Sequence, residues 1–265
     1  MKVFISADIE GIATTLSHED CRPGNPNYPY HCDEMTKEVL AACEGAMEAG
    51  ADEIVIKDAH GPACNIDSKV LPPCAQIIKG WSGHPFLMVE GLDKSFDAAL
   101  FVGYHGAASR EGNPMSHTVS GRAAYIKLNG RICSEFMMFS LCAASLGVPT
   151  VYLSGDQQLC EDSQDLHPCL VTTAVKAGVG GALRCLAPQK AQQLIRADVK
   201  RALSQPFQGK VSALPEHFTV EVCYKDHNLA AKNAFYPGAQ RLDDCTISFE
   251  TDDYFEVMRF FRFVL

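Results

Sequence analysis

Short apolar runs, each followed at once by polar residues, are the feature that most constrains the fold of this 265-residue chain. Lys2 to Ala7 is the first run and Glu53 to Lys57 is the second. Between them, apolar residues recur at three- and four-residue steps from Asp33 to Ala49, and Gly50 supplies a left-handed helix stop. This order predicts a strand, a helix and a second strand joined by a right-handed crossover.

Two further apolar runs extend the pattern. Ala98 to Val102 leads into Gly103-Tyr104-His105, and Thr150 to Leu153 leads into Ser154-Gly155-Asp156. Buried apolar strands separated by helical segments are typical of a parallel sheet covered by helices. The N-terminal region is therefore predicted to be α/β, with a mainly parallel sheet and flanking helices.

A hairpin and a helix are predicted between the third and fourth runs. Ala123 to Leu128 and Arg131-Ile132 flank Asn129-Gly130, the strongest short hairpin signal, because both central positions of a type I′ turn need positive φ. A helix should begin near Ser134.

The pattern changes in the second half of the chain. A helix is predicted from Pro188 to Leu203, and strands from Phe218 to Tyr224 and near Thr246 to Phe249. A closing aromatic helix follows, which we expect in the core rather than at a subunit contact. We therefore predict an α/β domain over residues 1–160 and a smaller α+β domain over residues 161–265, which completes the site or the oligomer contacts.

The charge distribution limits the partners. The formal net charge is -9, and the basic residues are scattered rather than clustered, which argues against nucleic acid. No stretch reaches the roughly 18 apolar residues that a membrane span needs, and the chain begins without an apolar signal region. We expect a cytoplasmic protein whose partners are small molecules or copies of itself.

The twelve cysteines are spaced irregularly, and no pair has C-x-x-C spacing. Cys43 and Cys142 lie in apolar helical patterns, where a reduced thiol behaves as a small buried hydrophobe. We expect neither a structural zinc finger nor disulfides.

Candidate functional residues follow the predicted strands. Ligands of open α/β sheets bind beyond the carboxyl ends of the strands. Asp8 and Glu10 follow the first strand, His60 follows the second, and His105 follows the third. In an extended chain, residues two apart project to the same face, so the two carboxylates should lie together and require a cation.

A fifth donor, Glu135 at the start of the predicted helix, makes the set too large for one metal. Carboxylates and imidazoles suit zinc, and five such donors can hold two ions about 3.5 to 4 Å apart around a bridging water. Taken singly, an acid after a strand is more often a cap or a solvated turn, and Glu135 alone would complement a helix dipole. Together the set predicts a catalytic site with two zinc ions per subunit.

His117 follows a loop, Ser109 to Pro114, and is the candidate catalytic residue. A loop histidine beside a metal site can donate a proton or stabilise an oxyanion, whereas the structural alternative is an exposed loop side chain. The other histidines, His18 and His84 among them, receive no role.

Linked motifs resemble one family in order over residues 1–176. They are Ser6-Ala7-Asp8-Ile9-Glu10-Gly11, Lys57-Asp58-Ala59-His60, Val89-Glu90-Gly91-Leu92-Asp93, Gly103-Tyr104-His105, Met115-Ser116-His117, Ser154-Gly155-Asp156 and Val171-Thr172-Thr173-Ala174-Val175-Lys176. They are similar to those of the zinc-dependent D-aminopeptidases of the bacterial dipeptide-transport operon, the DppA type, which are self-compartmentalising metallopeptidases.

The resemblance implies a function for each candidate residue. Asp8, Glu10, His60, His105 and Glu135 match the positions of the family's two-zinc site. His117 matches the family's proposed catalytic histidine. The family forms a homodecamer whose active sites face an internal channel, so the resemblance implies a decamer here.

These expectations predict a metal-dependent aminopeptidase that releases N-terminal D-amino acids such as D-Ala from short peptides, through a water activated by two zinc ions. Metal sites on α/β scaffolds serve many substrates, so a dinuclear amidohydrolase or phosphoesterase is the first alternative. A non-catalytic protein that binds a metal or a small molecule is the second.

Overall fold

Twelve strands and six α-helices make up the computed structural model, which describes residues 1–265. In chain order they are β1 (Lys2–Ala7), α1 (Tyr28–Glu48), β2 (Glu53–Asp58), β3 (Ala75–Ile78), β4 (Ala98–Tyr104), β5 (Ala123–Leu128), β6 (Arg131–Ile132), α2 (Glu135–Ser145), β7 (Thr150–Asp156), α3 (Gln157–Ser163), β8 (Val171–Val179), β9 (Ala182–Cys185), α4 (Pro188–Ser204), β10 (Phe218–Tyr224), α5 (His227–Asn233), β11 (Gln240–Arg241), β12 (Thr246–Thr251) and α6 (Tyr254–Val264).

The larger sheet has seven strands in the order β3-β2-β1-β4-β7-β8-β9. Its strands are parallel except for β9, which pairs with β8 in the antiparallel sense. The four predicted strands form its centre, and β3, β8 and β9 extend it on either side. The predicted α/β class with a mainly parallel sheet is confirmed.

Alternate residues of the central strands face two different cores, as the two-residue period of a strand requires. In β1, Val3 and Ile5 belong to the core cluster that includes residues of α1 and α4 on one face of the sheet, while Phe4 faces the opposite side. There Phe4 belongs to the cluster that includes Phe136 of α2 and residues of α6. Burial on both faces explains why these strands are continuous apolar runs.

The smaller sheet is antiparallel, in the order β11-β12-β10-β5-β6. Its β5–β6 hairpin turns at Asn129 and Gly130, whose φ angles are 49° and 80°. The predicted hairpin is confirmed, and Ser134 caps α2 by accepting a hydrogen bond from the Met137 amide. The capped helix begins at Glu135, three residues after the hairpin ends, so the hairpin and the cap together fix the position of the Glu135 side chain.

The two sheets exchange segments of the chain. Ala123–Leu128 from the first half lies in the smaller sheet, and Val171–Val179 from the second half lies in the larger one. No single residue number separates the sheets, and the division into domains at residue 160 stays a prediction.

The closing helix α6 is amphipathic. Val257, Met258 and Phe260 are fully buried, as the core prediction requires, but Phe255 is 37% exposed and Phe263 is 69% exposed. All twelve cysteines are free, and Cys43 and Cys142 are buried. None of the helices is both long and apolar enough to span a membrane.

The backbone is tightest beside the end of β4. A Cβ atom added to Gly155 of β7 would lie 2.0 Å from the Tyr104 carbonyl oxygen, and one added to Gly11 would lie 1.9 Å from the same atom. Glycine at these positions lets three chain segments meet directly under His105.

We predict that Gly155→Ala lowers the free energy of unfolding by about 1 to 3 kcal/mol, because the backbone of β4 must move to admit the methyl group. Gly121→Ala is the matched control, since nothing lies within 4 Å of its added Cβ. Thermal or urea unfolding of the two variants measures the difference. Equal stabilities would contradict the close approach seen here.

Candidate metal centre

Three strand ends meet at one edge of the larger sheet and bring Asp8, His60 and His105 together. His60 Nδ1 lies 3.0 Å from Asp8 Oδ1, and His105 Nε2 lies 3.5 Å from Asp8 Oδ2. Strands β2 and β4 pair on either side of β1, so the residues that follow them converge on the residues that follow β1. The predicted convergence of these side chains is confirmed.

Glu10 joins the cluster, but by a different route from the predicted one. Strand β1 ends at Ala7, and Glu10 lies in the turn that follows rather than in extended chain. Hydrogen bonds from the Asp8 amide to the Val102 carbonyl and from the Gly11 amide to the Gly103 carbonyl hold this turn. The Glu10 Oε2 atom is 3.3 Å from His60 Nδ1, so both carboxylates reach the same imidazole although they are not aligned by a strand pleat.

Glu135 enters the cluster from the first turn of α2. Its Oε2 lies 3.5 Å from His105 Nε2, and its Oε1 accepts a hydrogen bond of 2.7 Å from the Val119 amide. Val119 has φ of 59°, a left-handed conformation that is costly for a β-branched residue. The surrounding structure therefore holds Val119 in a strained backbone conformation, in which its amide points at Glu135.

His117 covers the cluster. Its ring stacks on that of His105, with centroids 4.5 Å apart, and its Nε2 lies 3.6 Å from Glu135 Oε1 and 3.8 Å from Glu10 Oε2. Its Nδ1 is 2.9 Å from the Met115 carbonyl, which can only accept, so Nδ1 carries the hydrogen. The same reasoning applies to His105, whose Nδ1 lies 3.0 Å from the Gly106 carbonyl. In the neutral ring, each Nε2 then has a lone pair aimed at the carboxylates.

The cluster is crowded with buried negative charge. Burial raises the pKa of Asp8, because its charge is poorly solvated there. For His60, burial by itself would lower the pKa, because the charged form is the protonated one. Hydrogen bonds to Asp8 and Glu10 outweigh burial and raise the pKa of His60 to about 10. Burial opposes ionisation of Glu135 too, yet the charge of His105 holds its pKa below the usual value. Burial thus opposes ionisation of these carboxyl groups, and a neighbouring positive charge favours it.

A metal ion fits this arrangement. Asp8 Oδ2 and His105 Nε2 are both buried and have no hydrogen-bond partner, which is costly unless a ligand engages them. Three groups each bring ligand atoms within 4.8 Å of one another: Asp8 with Glu10 and His60, Asp8 with His105 and Glu135, and Glu10 with His105 and His117. Oxygen and imidazole donors of this kind suit zinc.

Two acids at the last positions of β2 and β7 support the cluster from outside it. Asp58 accepts hydrogen bonds from the amides of Asn65 and Ile66, and Asn65 in turn donates to the His60 carbonyl. Asp156 accepts a 2.6 Å hydrogen bond from the Gly106 amide, next to His105. Neither carboxylate belongs to the three groups of ligand atoms; each fixes the backbone that carries a histidine.

Two residues at the site were missed by the sequence analysis. His18 Nδ1 lies 2.9 Å from Glu10 Oε1. Lys176 of β8 is buried, and its ammonium donates to the carbonyls of Glu10 at 2.6 Å and Thr15 at 2.8 Å. His18 lies in an irregular turn that gives no periodic signal, whereas Lys176 could have been suspected as the one charged residue of an otherwise uncharged strand.

The cluster opens onto a cavity of about 490 Å³. Its floor is formed by Asp8, Glu10, His60, Glu135 and His117. Its outer wall is formed by the exposed residues Trp81, His84 and Arg262, and Leu87, Met88 and Glu90 complete the lining. A cavity of this size admits a short peptide or another small molecule.

Known proteins resemble the chain over its whole length. A family model described as D-aminopeptidase matches residues 1–263. The D-aminopeptidase of Bacillus subtilis (strain 168) is 30% identical over 258 residues, which cover 97% of this chain and 93% of that protein. A weaker similarity, at 25% identity, covers 63% of this chain but only 33% of a histidine ammonia-lyase of Burkholderia multivorans (strain ATCC 17616 / 249), and carries no argument here.

A solved structure agrees with these matches. It is the Zn-dependent D-aminopeptidase DppA from Bacillus subtilis, a self-compartmentalizing protease, with a TM-score of 0.93 and 28% identity over 100% of this chain and 96% of that chain. Fold and site together define a metal-dependent peptidase, a hydrolase. The chain belongs to the D-aminopeptidase family.

We predict that Lys176→Met weakens zinc binding about tenfold or more, because the Glu10 carbonyl loses its charged donor and the turn that carries the Glu10 carboxylate loosens. Lys200→Met is the matched control, since Lys200 is half-exposed and pairs only with Glu48 on the surface. Zinc titration against a competing chelator measures both variants. Unchanged affinity in Lys176→Met would show that the turn is held without this lysine.

Proposed function

We propose that this chain hydrolyses the first peptide bond of short peptides that begin with a D-amino acid, using two zinc ions held by Asp8, Glu10, His60, His105 and Glu135. The observation that carries the proposal is the sharing of Asp8 between two groups of ligand atoms, one with Glu10 and His60 and the other with His105 and Glu135. A shared carboxylate between adjacent groups is the arrangement expected of a dinuclear site.

The tautomer of His105 supports its role as a ligand. Because Nδ1 donates to the Gly106 carbonyl, Nε2 is the nitrogen that faces Asp8 and Glu135. Zinc binding requires this nitrogen to be unprotonated, so the metal would replace the proton that the carboxylates otherwise hold there. The chemistry that zinc supplies when bound is the activation of water and the polarisation of a carbonyl near neutral pH.

We assign His117 as the catalytic acid and base. Its Nδ1 hydrogen bond to the Met115 carbonyl fixes the ring and leaves Nε2 facing Glu135 and Glu10. At Nε2 it can take a proton and pass it to the leaving amine, or donate a hydrogen bond to the oxyanion of the substrate. The stack on His105 keeps the ring in this position.

The preference for D-residues, the oligomer and the compartment are proposed on other grounds. Family membership supports a D-peptide substrate. A homo-oligomer, and a decamer in particular, is supported by the similar structure, which is that of a self-compartmentalizing protease. The exposed aromatic side chains of Phe235 and Phe263, 90% and 69% accessible, are candidates for its contacts. Twelve free thiols favour a reducing compartment such as the cytoplasm.

The test of the proposed function is release of free amino acid from D-Ala-D-Ala and from L-Ala-L-Ala by zinc-loaded protein. We expect cleavage that favours the D-peptide and that His60→Ala abolishes. Hydrolysis of a phosphate ester without peptide cleavage would contradict the proposal and indicate a phosphoesterase. Tight zinc binding without turnover of any peptide, amide or ester would indicate a binding protein.

We predict that His117→Ala lowers kcat by about 10²- to 10⁴-fold, the usual contribution of a general acid or base, while the zinc content is retained. His217→Ala is the matched control, because His217 is half-exposed and pairs with Asp252, away from the cavity. Steady-state kinetics and metal analysis on the same samples measure both quantities. Loss of zinc in His117→Ala would instead make this residue a ligand.

A further inference from the structure

The cavity has two chemically different ends. Its floor carries the carboxyl groups of Asp8, Glu10 and Glu135 beside the imidazoles, the side chains proposed to hold zinc. Its outer wall carries one side chain with a permanent positive charge, the guanidinium of Arg262. A floor that would hold zinc and an outer wall with an unpaired cation suit a ligand whose peptide bond lies at one end of the cavity and whose carboxylate lies at the other, as in a short peptide with a free C-terminus.

The guanidinium of Arg262 is available for a ligand. Its one recorded polar contact is a long hydrogen bond of 3.4 Å from Nε to the Gly83 carbonyl, and no carboxylate lies within 4.0 Å of it. Arg259, one turn earlier on α6, forms an ion pair with Glu256. The two arginines share a helix and are both exposed, but Arg262 alone lines the cavity and lacks an acidic partner.

The acid nearest to this wall is already compensated. Glu90 lines the cavity and accepts a hydrogen bond from the Ser82 amide. Burial alone would raise the pKa of Glu90, but this hydrogen bond and the charge of Lys57 bring it below the usual value. The charge of Glu90 is thus partly offset by the Ser82 amide and by Lys57, and Arg262 has no acidic partner.

The segment that contacts Arg262 is hydrogen-bonded to the backbone beside the metal centre. Trp81 Nε1 donates a hydrogen bond of 2.8 Å to the carbonyl of Gly61, the residue after His60. The Lys57 ammonium lies 4.3 Å from the centroid of the Trp81 ring. Lys57 also donates a hydrogen bond to the Gly80 carbonyl. The segment 80–83 therefore connects the backbone after β2 with the Gly83 carbonyl that contacts Arg262.

We propose that Arg262 binds the C-terminal carboxylate of the substrate and so selects short peptides with a free carboxylate over peptide amides. A guanidinium matches a carboxylate with two parallel hydrogen bonds, which makes arginine better suited to this role than lysine. The substrate's N-terminal residue lies on the carboxylate and imidazole floor, and its far end reaches α6. This inference rests on the proposed function.

The test compares kcat/KM for D-Ala-D-Ala and for D-Ala-D-Ala amide in zinc-loaded wild type, Arg262→Gln, Arg262→Lys and Arg259→Gln. We expect the wild type to prefer the free acid about tenfold or more, mainly through KM. In Arg262→Gln, kcat/KM should fall for the free acid but not for the amide, so that the preference is lost. Arg262→Lys should keep part of the preference, and Arg259→Gln should behave as wild type.

Binding without turnover provides a second readout. Trp81 is the one tryptophan of the chain and lines the cavity, so its fluorescence reports a bound peptide. In the zinc-loaded His117→Ala background, we expect Arg262→Gln to weaken binding of D-Ala-D-Ala about tenfold and leave binding of the amide unchanged. Equal preference for acid and amide in the wild type, or an unchanged preference in Arg262→Gln, would overturn the proposal. If the wild type cleaves neither peptide, the proposed function fails first, and this inference fails with it.

Discussion

The structure depends on the electrostatic cost of placing three carboxylates in one buried cluster. Asp8, Glu10 and Glu135 are each at most 4% exposed, and water solvates their charges poorly. The imidazoles of His60 and His105 offset part of this charge only while they hold protons. An orphaned oxygen on Asp8 and an orphaned nitrogen on His105 face each other across 3.5 Å. Divalent cations resolve both problems at once, because they supply charge and occupy the lone pairs.

The fold explains how such a cluster is tolerated. Parallel pairing of β2 and β4 with β1 fixes Asp8, His60 and His105 at one sheet edge, and the capped start of α2 positions Glu135. Glu10 lies in a turn held by backbone hydrogen bonds to β4 and by the Lys176 ammonium. Strain at Val119 and the close approach of Gly155 to β4 show that neighbouring segments are fitted to this geometry. Preorganisation of this kind is what a metal site requires of its protein.

Much of this arrangement could be predicted from the sequence, because strong local patterns coincide with the elements. The apolar runs from Lys2 to Ala7, Glu53 to Lys57 and Ala98 to Val102 and the Asn129-Gly130 turn placed Asp8, His60, His105 and Glu135 at strand and helix ends, where the structure has them. The position of Glu10 in a turn was not predicted: the strand ends at Ala7 as expected, but the chain does not stay extended from Asp8 to Glu10. The sequence did not point to His18 or Arg262, because long-range packing brings them to the site. His18 lies in a turn and contacts Glu10, and Arg262 lies in the last turn of α6 and lines the cavity. The exchange of β5 and β8 between sheets is likewise a matter of topology, which no local pattern encodes.

Anomalous diffraction at the zinc absorption edge, from crystals of the zinc-loaded protein, tests the central claim most directly. The account predicts two peaks per subunit about 3.5 to 4 Å apart, bridged by Asp8, with Glu10 and His60 on one ion and His105 and Glu135 on the other. A single peak, or zinc bound away from these five side chains, would contradict it.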